Sequence, residues 1–298
     1  MTVLKFTILL VVASSLVLSG CQNVAPKAIE SPQTTLGNLV LAEPAAASYR
    51  AQRALAQFNQ IVLNSELSDD ERAQLLFQRG LVHDSLGLDV LAHNDYLQAL
   101  RLQPRMPDVY NSLGIHYTIL GNYAEAYDAL DATLEMDPDY AFAYFNRGLT
   151  SYYHQRYELS YQDFDTYLQL DNNDPLRLLW RYFTTLKMDS KRANVELASA
   201  YERLTTDNWS RRIVGFFLEE LSQKELLDSV IAGIENQQQL NERLCELYFY
   251  LGKYHVYQGN LSIANNFFKL SLSTNIYEFV EYRFARVELN KLREQASL

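Results

Sequence analysis

The sequence predicts an all-α solenoid of antiparallel helix pairs, because several sets of residues return every 34 positions. Gly80, Gly114 and Gly148 form one set, and Pro104 and Pro138 form another. Ala92 and Ala126 hold the same spacing, as do the large apolar residues Tyr96, Leu130 and Phe164. A glycine eighth in each repeat removes the side chain where two helices cross, at a propensity cost of about 1 kcal/mol against Ala. The alanine does the same for the return helix, and the large residue four positions later fills the space between the pair. The proline cannot continue a helix and stops it before the next repeat. A fixed period of this length is that of the tetratricopeptide repeat, so the expected fold is an all-α tetratricopeptide-repeat superhelix with capping helices.

Taken in order, the chain opens on Lys5 and the apolar run Phe6–Ala13, and this stretch ends in Leu18-Ser19-Gly20-Cys21. Residues 1–20 read as a lipoprotein signal peptide. The run is shorter than the ~20 apolar residues a spanning helix needs. Leu, a small residue, Gly and Cys in register resemble the bacterial lipobox, and that resemblance implies acylation of Cys21. Gln22, by resemblance to enterobacterial-type lipoproteins, implies sorting to the outer membrane, facing the periplasm. Cys245 is the only other cysteine, so lipidation of Cys21 excludes a disulfide framework. Cys245 is expected as a buried small hydrophobe.

Residues 21–47 carry Pro26, Pro32 and Pro44 without helical periodicity and read as a tether. Residues 48–298 read as one helical domain without an interior linker. At its start Leu55, Phe58, Ile61 and Val62 fall at helical spacing. They belong either to a helix that caps the first repeat or to a dimerisation arm that packs on a second copy, and the sequence favours neither. Ser68 and Glu71 then form a capping box, with Asp69 and Asp70 suited to the helix dipole. Repeats are expected at 73–106, 107–140 and 141–174, the third degenerate because Gln155 replaces the turn glycine and Ser160 the alanine. Residues 176–244 continue as helical hairpins off the consensus. Tyr248, Gly252, Gly259, Ala264 and Phe268 restore a repeat at 245–278, and a last helix near 279–291 is expected to cap the stack.

No constellation for chemistry stands out. His83, His93, His116, His154 and His255 are scattered, and His83 and His255 share one packing position, which makes them structural. No metalloprotease helix motif, nucleophile elbow, phosphate loop or cysteine–histidine pair is present. The expectation is therefore no enzyme, no catalytic residue, no metal and no cofactor. A formal charge of −10, from 26 basic against 36 acidic residues, argues against nucleic acid. The same charge repels anionic membranes, so membrane attachment is expected through the lipid anchor alone.

What remains is a surface. The concave wall of such a solenoid takes the second, fifth, ninth, twelfth and thirteenth positions of each first helix. In the second repeat these include Asn111, Ile115 and Ile119; in the third they are Phe142, Phe145, Leu149, Tyr152 and Tyr153. The last repeat adds Phe249 and Tyr257. Aromatic residues concentrated on one groove suggest partner binding. The alternative is that hairpins 176–244 fold into the groove and bury it.

Two blocks carry a more specific likeness. Leu67-Ser68-Asp69-Asp70-Glu71-Arg72-Ala73-Gln74-Leu75-Leu76 and Phe249-Tyr250-Leu251-Gly252-Lys253-Tyr254, with Phe279-Val280-Glu281-Tyr282-Arg283, resemble the NlpI family of gammaproteobacterial outer-membrane lipoproteins. The resemblance implies a periplasm-facing homodimer without catalytic residues. It implies an adaptor that binds a tail-specific periplasmic protease and presents a peptidoglycan endopeptidase, among other cell-wall enzymes, in cell-wall turnover and division. The alternative is an assembly lipoprotein of the pilotin type that escorts an outer-membrane complex.

Overall fold

The computed structural model describes residues 39–63, 66–170, 173–205 and 207–296. The expected signal peptide, Cys21 and residues 22–38 of the tether lie outside the described residues. Among the described residues there are fourteen α-helices and no strands. After α1 (Tyr49–Ile61) come the pairs α2 (Asp69–Ser85) with α3 (Asp89–Leu102), and α4 (Pro107–Leu120) with α5 (Tyr123–Met136). Then follow α6 (Ala141–Tyr153) with α7 (Tyr157–Leu170), and α8 (Pro175–Met188) with α9 (Ser190–Arg203). The shorter α10 (Trp209–Phe217) and α11 (Gln223–Ser229) lead to α12 (Gln237–Tyr257), α13 (Leu261–Leu272) and α14 (Val280–Ala296). The all-α tetratricopeptide-repeat superhelix is the fold the chain adopts.

Local chemistry starts these helices where they start. Ser68 and Glu71 close a reciprocal capping box on α2, and Ser222 and Glu225 do the same on α11. Asp174 and Asp189 accept from the first free amides of α8 and α9. Pro107 and Pro175 occupy first-turn positions where no backbone donor is needed.

The helix crossings explain the period. A Cβ placed on Gly80, Gly114, Gly148 or Gly252 would come within 2.8 Å of Tyr96, Leu130, Phe164 or Phe268 respectively. The glycine and its large partner therefore form one unit, and each partner is buried. The turn after the first helix needs a left-handed residue. Gly87, Gly121 and Gly259 supply it, and Gln155 holds the same place with φ 62°.

The two ends of the chain depart from expectation. The tether does not run free to residue 47. Leu39, Val40 and Ala42 pack against the main core, and Tyr248 donates to the Val40 carbonyl. Asn241 Nδ2 donates to the Glu43 carbonyl at 3.0 Å, and Ala45 N to the Thr274 carbonyl at 2.9 Å. These bonds satisfy an extended segment that would otherwise lie open. The final helix also does more than close the stack. α14 runs along α12 and α13 and reaches α4, on the inner side of the solenoid.

Gly114→Ala is expected to cost about 1–3 kcal/mol by overpacking against Leu130, measured by urea unfolding. Gln155→Gly is expected to add roughly 0.5–1 kcal/mol, because relief of the left-handed strain exceeds glycine's entropy cost. A thermal melt of Gln155→Gly at or below the parent would contradict that.

Candidate protein-binding surface

The concave positions converge, but in the interior. Ile115, Phe145, Leu149, Tyr152, Tyr153 and Phe249 all sit in one buried cluster. Two helices fill the space between them. Trp180 of α8 lies 5.9 Å from the Tyr152 ring and 5.7 Å from the Phe249 ring, centre to centre. Phe284 of α14 stacks on Tyr153 at 4.7 Å and meets Trp180 at 5.9 Å. The expectation of an open aromatic groove is corrected at these six positions, because α8 and α14 remove them from solvent. Hairpins 176–244 supply one of the two fillers, and α14 lies beyond them. Asn111 and Ile119 are half-buried, with Asn111 accepting from Asn146 at 2.9 Å. Phe142 and Tyr257 stay open, 55% and 56% exposed.

A charged pair fastens α14 in place. Lys253 of α12 donates to Glu288 of α14 at 2.5 Å and to Tyr152 Oη at 3.0 Å, and Tyr153 donates to the same Glu288 oxygen at 2.9 Å. Both charges are buried, and the ammonium group also lies 4.7 Å from the Tyr152 ring centre. Burial pushes the Glu288 carboxyl up, but Lys253 and Lys291 outweigh it and hold the group below the usual carboxylate range. Burial likewise opposes the Lys253 charge, and Glu288 and Tyr152 more than restore it, leaving that group above its ordinary value. Further along the helix Arg286 pairs with Asp89 at 2.8 Å, and Arg283 approaches Asp84 at 3.6 Å. Asp84 also takes His116 at 3.0 Å and the Tyr96 hydroxyl at 2.7 Å.

A sizeable concavity is open on the C-terminal half. A recess of about 780 Å³ lies between α8, α9, α10 and the end of α12. Its walls are aromatic rings packed against one another. Phe217 meets Tyr182 at 5.8 Å and Phe183 at 5.3 Å, while Phe216 meets Tyr254 at 4.8 Å. Tyr257, one of the expected groove residues, stands at this recess. Tyr182, Phe183, Phe217 and Tyr254 were not expected there. The sequence shows Tyr182, Phe183 and Phe217 as large apolar residues of 176–244 and Tyr254 as one of the last repeat, but does not say which helices leave a gap.

The remaining expected sites take varied places. Val62 is buried with Ala73 and Leu76 under the first repeat, and Arg72 donates to its carbonyl. Leu55 and Phe58 are half-buried and Ile61 is exposed, and α1 packs against α2. Cys21 lies outside the described residues. Among the described residues no three His, Cys, Asp or Glu side chains gather as a metal site, and no helix is long and apolar enough to cross a membrane.

Comparison with known proteins agrees with the period. The tetratricopeptide repeat family model matches residues 90–141 and 120–175. Residues 90–175 are tetratricopeptide repeats. A tetratricopeptide repeat protein from Parabacteroides merdae is 18% identical over 82% of this chain and 91% of its own, with a TM-score of 0.49. YrrB, described as a TPR protein with an unusual peptide-binding site, is 14% identical over 83% of this chain and 100% of its own, at 0.43. PilF of Pseudomonas aeruginosa is 18% identical over 83% of this chain and 99% of its own, at 0.40. With these scores under 0.5, the fold rests on this chain's own helices and on the family match.

Glu288→Gln is expected to cost about 3–5 kcal/mol at neutral pH, because it strands a buried ammonium. Glu288 has a depressed folded pKa, so its stabilisation is present above the unfolded value and lost as pH falls through the folded one. The Lys253 contribution is present below its unfolded pKa and lost only as pH rises through the higher folded value. The gap between parent and Glu288→Gln should therefore narrow in acid, below about pH 4. Urea unfolding across pH checks both signs.

Proposed function

We propose that this protein is a non-enzymatic adaptor lipoprotein, anchored through acylated Cys21 in the outer membrane and facing the periplasm. Tetratricopeptide repeats bind protein partners, and the observation that carries the reading here is the open, aromatic-walled recess beside Tyr257. Rings of this kind give large contact area at low entropic cost. The finer assignment is supported by the resemblance of the blocks beginning at Leu67, Phe249 and Phe279 to the NlpI family. On that reading the chain binds a tail-specific periplasmic protease and presents a peptidoglycan endopeptidase, as a homodimer. Holding both on one anchored scaffold raises their effective concentration without any bond being made or broken by the scaffold.

The test follows endopeptidase loss over time, with purified tail-specific protease and the full lipidated chain in detergent micelles. Acceleration of at least about tenfold over protease alone is the expected result. Cys21→Ser is expected to move the protein from the membrane to the soluble periplasmic fraction. No acceleration and no binding to the protease would overturn the adaptor reading and favour an assembly lipoprotein of the pilotin type.

A further inference from the structure

The recess has an electrostatic character that narrows what it accepts. Among its lining residues Glu219 carries the one formal charge, and it is exposed at the surface. The other polar groups are neutral: Asn194, Ser222, Gln223 and Gln258. Behind the wall, His255 bonds Gln223 at 2.9 Å, and burial holds its imidazole below the usual value, in the neutral form. Lys187 follows Leu186 on α8 but interacts with Lys253 and Glu288 instead of lining the recess. A free C-terminal carboxylate therefore meets no cation here, and a Glu-rich or Asp-rich segment meets repulsion.

A cation finds the opposite. Ring faces attract a guanidinium within about 6 Å of their centres, and the carboxylate adds a second, directional partner. Glu219 holds this place at a backbone cost. Its φ is 61°, a left-handed conformation that glycine or asparagine adopts more easily. The volume of about 780 Å³ exceeds a single side chain and matches a short run of residues. The net charge of −10 on the whole chain also favours approach of a basic segment.

We propose that the recess between α8, α9, α10 and the end of α12 binds an internal peptide segment that carries Arg beside a bulky aromatic side chain, with Arg on Glu219 and the aromatic side chain among Tyr182, Phe217, Tyr254 and Tyr257. The proposal rests on the adaptor reading and names the chemistry of one of its partners. The arginine supplies the polar register, and the aromatic neighbour supplies the buried area.

The experiment titrates the full chain in detergent micelles with three fluorescently labelled heptapeptides by anisotropy. The first is capped at both ends and has a Phe-Arg-Phe core flanked by Gly and Ser. The second replaces Arg by Glu, and the third replaces Arg by Gly and carries a free C-terminal carboxylate. Saturable binding of the first, at least about tenfold tighter than either other, is expected. Glu219→Gln should weaken it about threefold in low salt and erase most of its salt dependence. Tyr257→Ala, at an exposed position that does not threaten folding, should weaken it about tenfold. Equal binding of the Glu peptide, no response to either substitution, or no saturation up to roughly 1 mM would overturn the proposal. So would loss of self-association on Tyr257→Ala in sedimentation, which would assign the recess to a second copy. The protease assay on the parent separates the two readings. Acceleration retained while the parent fails to bind the Arg peptide defeats the recess proposal alone. Failure of the parent to accelerate at all defeats the adaptor reading.

Discussion

The Lys253–Glu288 pair is the interaction on which the shape of this molecule turns. A solenoid of helix pairs is open along its inner wall by construction, and here that wall is apolar and aromatic. Placing α14 along it buries Phe284, Ala285 and Leu289 together with Tyr152, Tyr153 and Trp180. Apolar contact alone would let a helix slide or rotate. Two opposite charges sealed from water, with two tyrosine hydroxyls on the same atoms, admit one register. At the far end Arg283 approaches Asp84, and Arg286 pairs with Asp89 at a more exposed position.

That closure moves the accessible surface. In an open repeat array the partner would meet the first helices of successive repeats. Here the inner wall is taken by the chain's own α8 and α14, and the aromatic recess lies at the irregular part, where α10 and α11 are too short to complete a repeat. The recess thus exists because the 34-residue period fails between the third repeat and the last. Irregularity in the repeat and openness of the surface have one cause.

The N-terminal segment adds a second tie between distant parts of the sequence. Residues 39–45 bond to α12 and to the end of α13 through backbone and side-chain hydrogen bonds. The segment is thereby tied to the C-terminal repeat. That repeat also contributes Tyr254 and Tyr257 to the recess.

Much of the fold was legible in the chain because local steric rules act locally. Gly80 with Tyr96, Gly114 with Leu130 and Gly148 with Phe164 meet within one hairpin, so a fixed spacing suffices to predict them. The capping box at Ser68 and the stop at Pro104 are equally short-range. The aromatic identity of Tyr152, Tyr153 and Phe249 was also plain, yet their exposure was not. A ring on a concave wall looks the same in sequence whether it faces a partner or Trp180, and α14, which covers Tyr153 with Phe284, begins more than a hundred residues later. Glu288 on the apolar stripe of Phe284, Ala285 and Leu289 was a local signal of that closure, since a charge on a buried face requires a partner. Sequence alone determined the repeat, its turns and its caps, through contacts a few residues apart. Tertiary structure alone decided which wall stays open, because that depends on where a long chain returns to itself.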